Sequence, residues 1–166
     1  MLFRSGSELH APGLVPSVAD AIERTGILPE QLVIEITESQ LLGDANASAA
    51  RFRELRDLGV RVALDDFGTG YSSLSYLHSL PLDILKIAKP FVDGLAGGNR
   101  ESGFVTMIID LARTLDLEVI AEGVETADQL AALRRLGAEL GQGFLLGRPS
   151  APRPGRLQPA AATSPR

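Results

Sequence analysis

Two adjacent aspartates, Asp65 and Asp66, stand where a largely apolar run over residues 60–64 ends, and a loop with two glycines follows them. Ionised carboxylates at the end of a buried strand repel each other and must be desolvated, and a divalent cation beside them relieves both penalties. Carboxylate oxygens are the ligands that Mg²⁺ prefers in proteins. The pair therefore indicates a metal site, with an exposed turn as the alternative because Asp-Asp before Gly is common in loops.

Charged or amide side chains also lie near the ends of the other predicted strands. Glu35 lies within the first, Lys86 near the end of the third, Glu122 and then Glu125 after the fourth, and Gln142 after the fifth. The carboxyl ends of parallel strands are where α/β folds build their sites. A single such residue would merely solvate a strand end, but repetition over five strands favours one shared site.

The residue types fit metal-dependent phosphate chemistry. Glu35, Asp65, Asp66 and Glu122 are four hard oxygen ligands suited to Mg²⁺ or Mn²⁺. Two such ions, roughly 3.5–4 Å apart, would bridge a phosphate and activate a water for in-line attack. Lys86 would neutralise a phosphate oxygen or orient that water, and an ion pair with a neighbouring aspartate is the structural alternative.

Glu38 follows Glu35 on the same predicted strand and is expected to hydrogen-bond the loop after Asp66 instead of a metal. That loop, residues 67–74, contains glycines that permit close approach or motion. It is predicted to be either a gate over the site or an ordinary tight loop.

Alternating apolar runs and helical periodicities must position these residues. From Leu32 onward the order is β-α-β-α-β-α-β-α-β, which implies parallel strands joined by right-handed crossovers. A helix precedes them and ends at Gly26, and Thr126 is a candidate cap for the last helix. The predicted strands cover residues 32–38, 60–66, 82–87, 117–122 and 140–144.

Composition bounds the class of protein. The 166 residues carry a net charge of −5, which argues against non-specific nucleic-acid binding, and 45% of them are hydrophobic, as in a globular domain. The chain has no cysteine, so disulfides and thiolate ligands are excluded. No apolar run reaches the length needed to cross a membrane, and a cytoplasmic location is expected.

Several motifs together resemble the EAL domain family of bacterial cyclic-di-GMP phosphodiesterases, which have a TIM-like barrel. The resemblance runs over residues 9–149, and its motifs are Glu35-Ile36-Thr37-Glu38, Asp65-Asp66-Phe67-Gly68-Thr69-Gly70-Tyr71-Ser72-Ser73-Leu74, Leu85-Lys86-Ile87, Ala121-Glu122-Gly123-Val124-Glu125-Thr126 and Gln142-Gly143-Phe144.

The resemblance implies a role for each site residue. It implies Mg²⁺ or Mn²⁺ ligands and cyclic-di-GMP as substrate, with Lys86 beside the attacking water and Glu125 and Gln142 orienting water or ligands. Glu38 is implied to hold the loop that follows the paired aspartates. The metal ligands that it implies are Glu35, Asp65, Asp66 and Glu122.

The chain also departs from the family pattern. The Glu-Ala-Leu strand is absent, Phe3 stands at the position of a metal-binding asparagine, and Ala88 replaces an aspartate after Lys-Ile, so that Lys86 is expected to lose a neighbour. Residues 1–8 are expected to be a non-matching start to a truncated domain. We expect an incomplete TIM-like (β/α) barrel that lacks its N-terminal strands, is of low stability, and self-associates through its uncovered edges.

Three functions follow from these departures. The chain is a cyclic-di-GMP phosphodiesterase that is weak or inactive in this form, a non-catalytic module that binds cyclic-di-GMP or a protein partner, or a remnant. Whether it is an enzyme is left open. The resemblance also implies a possible homodimer, and the Pro- and Ala-rich tail over residues 150–166 is expected to be disordered.

Overall fold

The computed structural model describes residues 11, 13–41, 45–70, 77–95 and 99–149, in which strands and helices alternate. The elements in chain order are α1 (Leu14–Thr25), a 3₁₀ turn (Pro29–Gln31), β1 (Val33–Thr37), a second 3₁₀ turn (Glu38–Leu41), α2 (Ala45–Asp57), β2 (Arg61–Phe67), β3 (Ile84–Ile87), α3 (Lys89–Gly94), α4 (Asn99–Thr114), β4 (Glu118–Ala121), α5 (Ala127–Leu136) and β5 (Leu140–Gly141).

The five strands form one sheet in the order β1-β2-β3-β4-β5, and every neighbouring pair is parallel. The predicted parallel α/β fold is therefore confirmed. Within the described ranges, β1 and β5 are the two edges of the sheet and do not pair with each other.

The core lies between the sheet and its helices. Phe52 and Leu55 of α2 and Ile108 of α4 are fully buried, as are all four residues of β3. A strand buried on both faces is what a parallel sheet requires. The rings of Phe91 and Phe104 stack with their centroids 4.6 Å apart and pack against this core.

The end of β1 differs from the sequence prediction, and the start of α5 agrees with it. Glu38 is not part of the first strand, because β1 ends at Thr37 and a 3₁₀ turn begins at Glu38. Thr126 caps α5 as predicted, and Gln129 completes a reciprocal capping box with it. The non-matching start over residues 1–8 and the tail over residues 150–166 lie outside the described residues.

The pairing register puts the polar residues on one face. Glu35 pairs with Ala63, which pairs with Ile84, so Asp65 and Lys86, two residues further along their strands, point to that same face. Lys86 in turn pairs with Ile120, whose partner is Leu140, and a further step of two reaches Glu122 and Gln142. Side-chain alternation thus delivers five polar residues from five strands to one place.

None of the helices in the described part of the chain is long and apolar enough to span a bilayer.

Candidate metal centre

An irregularity in β2 explains how two consecutive aspartates serve one site. The register with β3 shifts between Leu64 and Phe67, and Asp66 has a left-handed backbone with φ of 55°. A bulge of this kind cancels the alternation that would point consecutive side chains to opposite faces. The Asp66 N–H donates to the Asp65 carboxylate over 3.0 Å, which fixes the turn.

Lys86 lies at the centre of the site and is 2% exposed. Its ammonium nitrogen is 2.9 Å from Glu35 Oε1, 3.1 Å from Asp65 Oδ1 and 2.5 Å from Glu122 Oε1. The structural alternative for Lys86, an ion pair with an aspartate, is therefore present and extends to two glutamates. The three contacts also show that Ala88 does not leave Lys86 without carboxylate partners.

Burial and charge shift the pKa values of three groups in this cluster. Burial opposes the charge of Lys86, but hydrogen bonds to Glu122 and Glu35 outweigh it and raise the pKa of the ammonium. Burial raises the pKa of Glu122, although Lys86 opposes the shift. Partial burial and then the charge of Asp65 raise the pKa of Asp66. One lysine thus leaves part of the carboxylate charge uncompensated.

Three carboxylates are close enough to hold one cation. Asp65, Asp66 and Glu122 each offer an oxygen that lies within 4.8 Å of the other two. Oxygen-only ligands with this charge fit Mg²⁺ or Mn²⁺ and fit no soft metal. Glu35, predicted as the fourth ligand, is not in this group and contacts Lys86 instead.

Glu38 lies under the loop that follows the paired aspartates. Its Oε2 accepts the N–H groups of Gly68 and Gly70 over 3.1 and 3.0 Å. The φ of Gly68 is 94°, and a Cβ there would lie 2.9 Å from the Phe91 ring. A buried carboxylate and a glycine that tolerates this backbone therefore hold the beginning of the loop; residues 71–76 lie outside the described part.

The two remaining predicted site residues, Gln142 and Glu125, have different partners. Gln142 donates from Nε2 to Glu122 Oε1 over 2.6 Å and so contacts a ligand of the cluster. Glu125 instead forms an ion pair with Lys89, its Oε1 lying 3.0 Å from the ammonium nitrogen. The fold thus brings Gln142 to the carboxylate cluster and pairs the Glu125 carboxylate with Lys89.

Three residues near Glu125 were not singled out in the sequence. Lys89, Asp93 and Gln129 form hydrogen bonds that join α3 to the segment after β4. Their pattern in the sequence offers one signal, the Thr-x-x-Gln spacing of a capping box, which predicts that Gln129 reaches back to the start of α5. Nothing local predicts the bond between Gln129 and Asp93, because these two residues are 36 positions apart.

Comparison with known proteins agrees with this geometry. The sequence profile of the EAL domain matches residues 3–149. The bifunctional diguanylate cyclase/cyclic di-GMP phosphodiesterase MucR of Pseudomonas aeruginosa is 49% identical over 140 residues, which are 84% of this chain and 20% of that protein. The cyclic di-GMP phosphodiesterase NbdA of the same species is 43% identical over 143 residues, 86% of this chain and 18% of that protein.

A solved structure has the same fold. The PaMucR phosphodiesterase in complex with c-di-GMP superposes with a TM-score of 0.83 at 46% identity, covering 88% of this chain and 59% of that one. The chain spans about a fifth of the curated relatives' length. The parallel α/β architecture is that of the TIM-like EAL barrels. On the profile match and the shared fold, this chain belongs to the EAL domain family.

Proposed function

We propose that this chain is a metal-dependent phosphodiesterase domain that acts on c-di-GMP, opening one phosphodiester bond to give linear pGpG, and that its turnover alone is weak or absent. One observation carries the proposal. Asp65, Asp66 and Glu122 bring carboxylate oxygens within 4.8 Å of one another at the carboxyl edge of a parallel sheet. The relatives MucR and NbdA, which carry cyclic di-GMP phosphodiesterase in their names, support the choice of substrate.

The charge of the site explains why a cation is needed. Four carboxylates, Glu35, Asp65, Asp66 and Glu122, face one lysine, which leaves a formal charge of −3. A phosphodiester anion would be repelled by this charge. The Lys86 ammonium offers little compensation to a substrate, because three carboxylates already surround it. A Mg²⁺ or Mn²⁺ ion held by Asp65, Asp66 and Glu122 would offset part of this charge and would supply a Lewis acid for a phosphoryl oxygen.

The chain's own residues orient the ligands. Lys86 holds Glu35, Asp65 and Glu122 in place, and Gln142 directs one oxygen of Glu122. Side chains that are held before the cation arrives lose little conformational freedom when it binds. Lys86 would therefore assist catalysis by fixing the positions of these three carboxylates.

The ligand count supports weak turnover. Three carboxylates suffice for one octahedral ion that keeps several waters. A two-ion site needs more oxygen ligands than the described residues bring together within 4.8 Å. In the sequence, Phe3 stands where the family pattern has a metal-binding asparagine, and a phenyl ring cannot ligate a cation.

Incubation of the chain with c-di-GMP and Mn²⁺, followed by chromatography of the nucleotides, tests the proposal. We expect binding of both ligands and slow or no formation of pGpG, with any product abolished in Asp66→Asn. Asp20→Asn, an exposed substitution on α1, is the matched control and should behave as the unchanged chain. A chain that binds neither Mn²⁺ nor c-di-GMP would contradict the proposal.

A second candidate function is c-di-GMP binding without hydrolysis. The single group of three carboxylates in the described residues favours it, because one ion can anchor a phosphate without completing a two-ion site. Binding of c-di-GMP that persists in calorimetry while no pGpG forms over a day would identify this function. The homodimer and the cytoplasmic location stay predictions, and light scattering on the purified chain tests the former.

A further inference from the structure

Gln129 is a buried amide whose hydrogen bonds extend beyond the capping of its own helix. Its side chain is 6% exposed, and Oε1 accepts the N–H groups of Glu125 and Thr126 over 2.8 and 2.9 Å. Its Nε2 donates to Asp93 Oδ1 over 3.2 Å. The capping box requires only the bond to Thr126. The bond to Glu125 also holds the residue just before the cap, and the bond to Asp93 ties α5 to α3.

These bonds belong to a closed ring of four residues, which we name the Gln129 ring: Lys89, Asp93, Glu125 and Gln129. Asp93 Oδ1 also accepts from Lys89 Nζ over 2.9 Å, and Lys89 Nζ lies 3.0 Å from Glu125 Oε1. The amide of Gln129 then closes the ring through the backbone N–H of Glu125. The ring joins α3 to the segment between β4 and α5.

The aliphatic part of Lys89 also presses on this segment. A Cβ at Gly123 would collide with Lys89 Cγ, and Gly123 has φ of 68°. No side chain fits at this position, so the lysine crosses directly over the backbone that follows Glu122. The Gln129 ring therefore restrains the segment at Gly123 and at Glu125.

The other side of the same segment faces the carboxylate cluster. Gln142 donates to Glu122 over 2.6 Å, and its carbonyl accepts the N–H of Val124 over 3.0 Å. Glu122 thus stands between the β5 end and the Gln129 ring. If loss of a hydrogen bond let this segment move, the Glu122 carboxylate would move away from Lys86 and from the aspartates.

We propose that Gln129 is a positioning residue of the metal centre, acting on Glu122 through the ring it closes. The proposal rests on the proposed function only in that Glu122 is taken as a metal ligand. A carboxamide is required at position 129 because one oxygen must accept two amide hydrogens while the nitrogen donates to Asp93. Glutamate keeps the acceptor but repels Asp93, and alanine removes both interactions.

The test uses Gln129→Ala and Gln129→Glu in the full chain, with Ala132→Gly as a matched control in the same helix. The control weakens α5 through helix propensity but leaves the ring intact. The first readout, in metal-free protein, is the pair of side-chain amide proton signals of Gln142 in NMR spectra, which report its bond to Glu122. We expect both Gln129 variants to move these signals toward the values of a solvated amide and the control to leave them in place.

The second readout is the dissociation constant for Mn²⁺, measured by calorimetry. Loss of a residue that orients a metal ligand weakens metal binding by roughly 10–100-fold, and we expect a loss of about tenfold in both variants and less than about twofold in the control. The exchange pair Gln129→Glu with Asp93→Asn restores one donor and one acceptor between these positions, and should recover most of the affinity.

The outcomes separate this inference from the proposed function. Unchanged Gln142 signals in Gln129→Ala would overturn the inference whether or not Mn²⁺ binds. Equal losses of Mn²⁺ affinity in Gln129→Ala and Ala132→Gly would also overturn it, because general destabilisation would then suffice. Shifted Gln142 signals in a chain that binds no Mn²⁺ would support the positioning role and refute the metal centre.

Discussion

Replacement of Lys86 by methionine tests whether the carboxylate cluster is held by a buried charge. Methionine keeps most of the aliphatic volume and removes the ammonium, which leaves Glu35, Asp65 and Glu122 without their shared partner. Removing one partner of a buried ion pair lowers the free energy of unfolding by about 3–5 kcal/mol. Three partners at 2.5 to 3.1 Å place Lys86→Met toward the upper end of that range.

Urea unfolding at pH 7 without divalent ions measures this loss of free energy directly. In a thermal melt, a chain of this size would show the same loss as a decrease of roughly 6–20 °C in the melting temperature. The raised pKa of Lys86 means that its stabilisation is fully present below about pH 10.5, its ordinary value, and is lost as the pH rises further.

Lys89→Met is the matched control, since Lys89 also bridges two carboxylates but is exposed. Its urea midpoint should stay near that of the unchanged chain, because exposed ion pairs contribute little. A loss below about 1 kcal/mol in Lys86→Met, the range of an exposed pair, would refute the argument that the cluster depends on a desolvated ammonium.

Three further substitutions follow from the same contacts. Glu38→Ala should lower the free energy of unfolding by at least about 2 kcal/mol, because the N–H groups of Gly68 and Gly70 lose a charged acceptor, and faster hydrogen exchange of these two amides checks it. Gly68→Ala should lower the melting temperature, since its φ of 94° and the Phe91 ring at 2.9 Å give strain of roughly 1–3 kcal/mol. Asp66→Asn should weaken Mn²⁺ binding and should stabilise the metal-free protein at pH 7, because the raised pKa of the Asp66 carboxyl means that its ionised form destabilises the fold. Urea unfolding at pH 3, below the ordinary pKa of 3.8, should show no gain in stability.

The sequence predicted the parallel strands because their signals are local. Apolar runs such as Ile84–Ile87, helix caps such as Thr126, and breaks at glycine all lie within a few residues of what they control. The end of β1 was less predictable, since Glu38 continues the pattern of the strand and only its bonds to Gly68 and Gly70, some 30 residues away, turn it into a 3₁₀ turn.

The sequence predicted most of the residues that form the site, but fewer of the contacts among them. Strand alternation could bring Glu35 and Lys86 to one face, but only the bulge at Asp66 decides that both aspartates reach it. The ion pair of Glu125 with Lys89 and the bond from Gln129 to Asp93 join residues 36 positions apart. Such pairings depend on how the helices pack, and no local pattern encodes them.

The ammonium of Lys86 acts as a resident counterion, and this has a consequence for how relatives of this chain are judged. The lysine that would serve hydrolysis also compensates part of the charge of Glu35, Asp65 and Glu122 in the metal-free fold. A descendant that abandons catalysis would therefore still be selected to keep Lys86, because its loss leaves these carboxylates without their shared partner in the interior. The presence of this lysine in a relative therefore reflects the need to fold as much as the need to catalyse. Only a measured turnover distinguishes an active enzyme from an inactive relative.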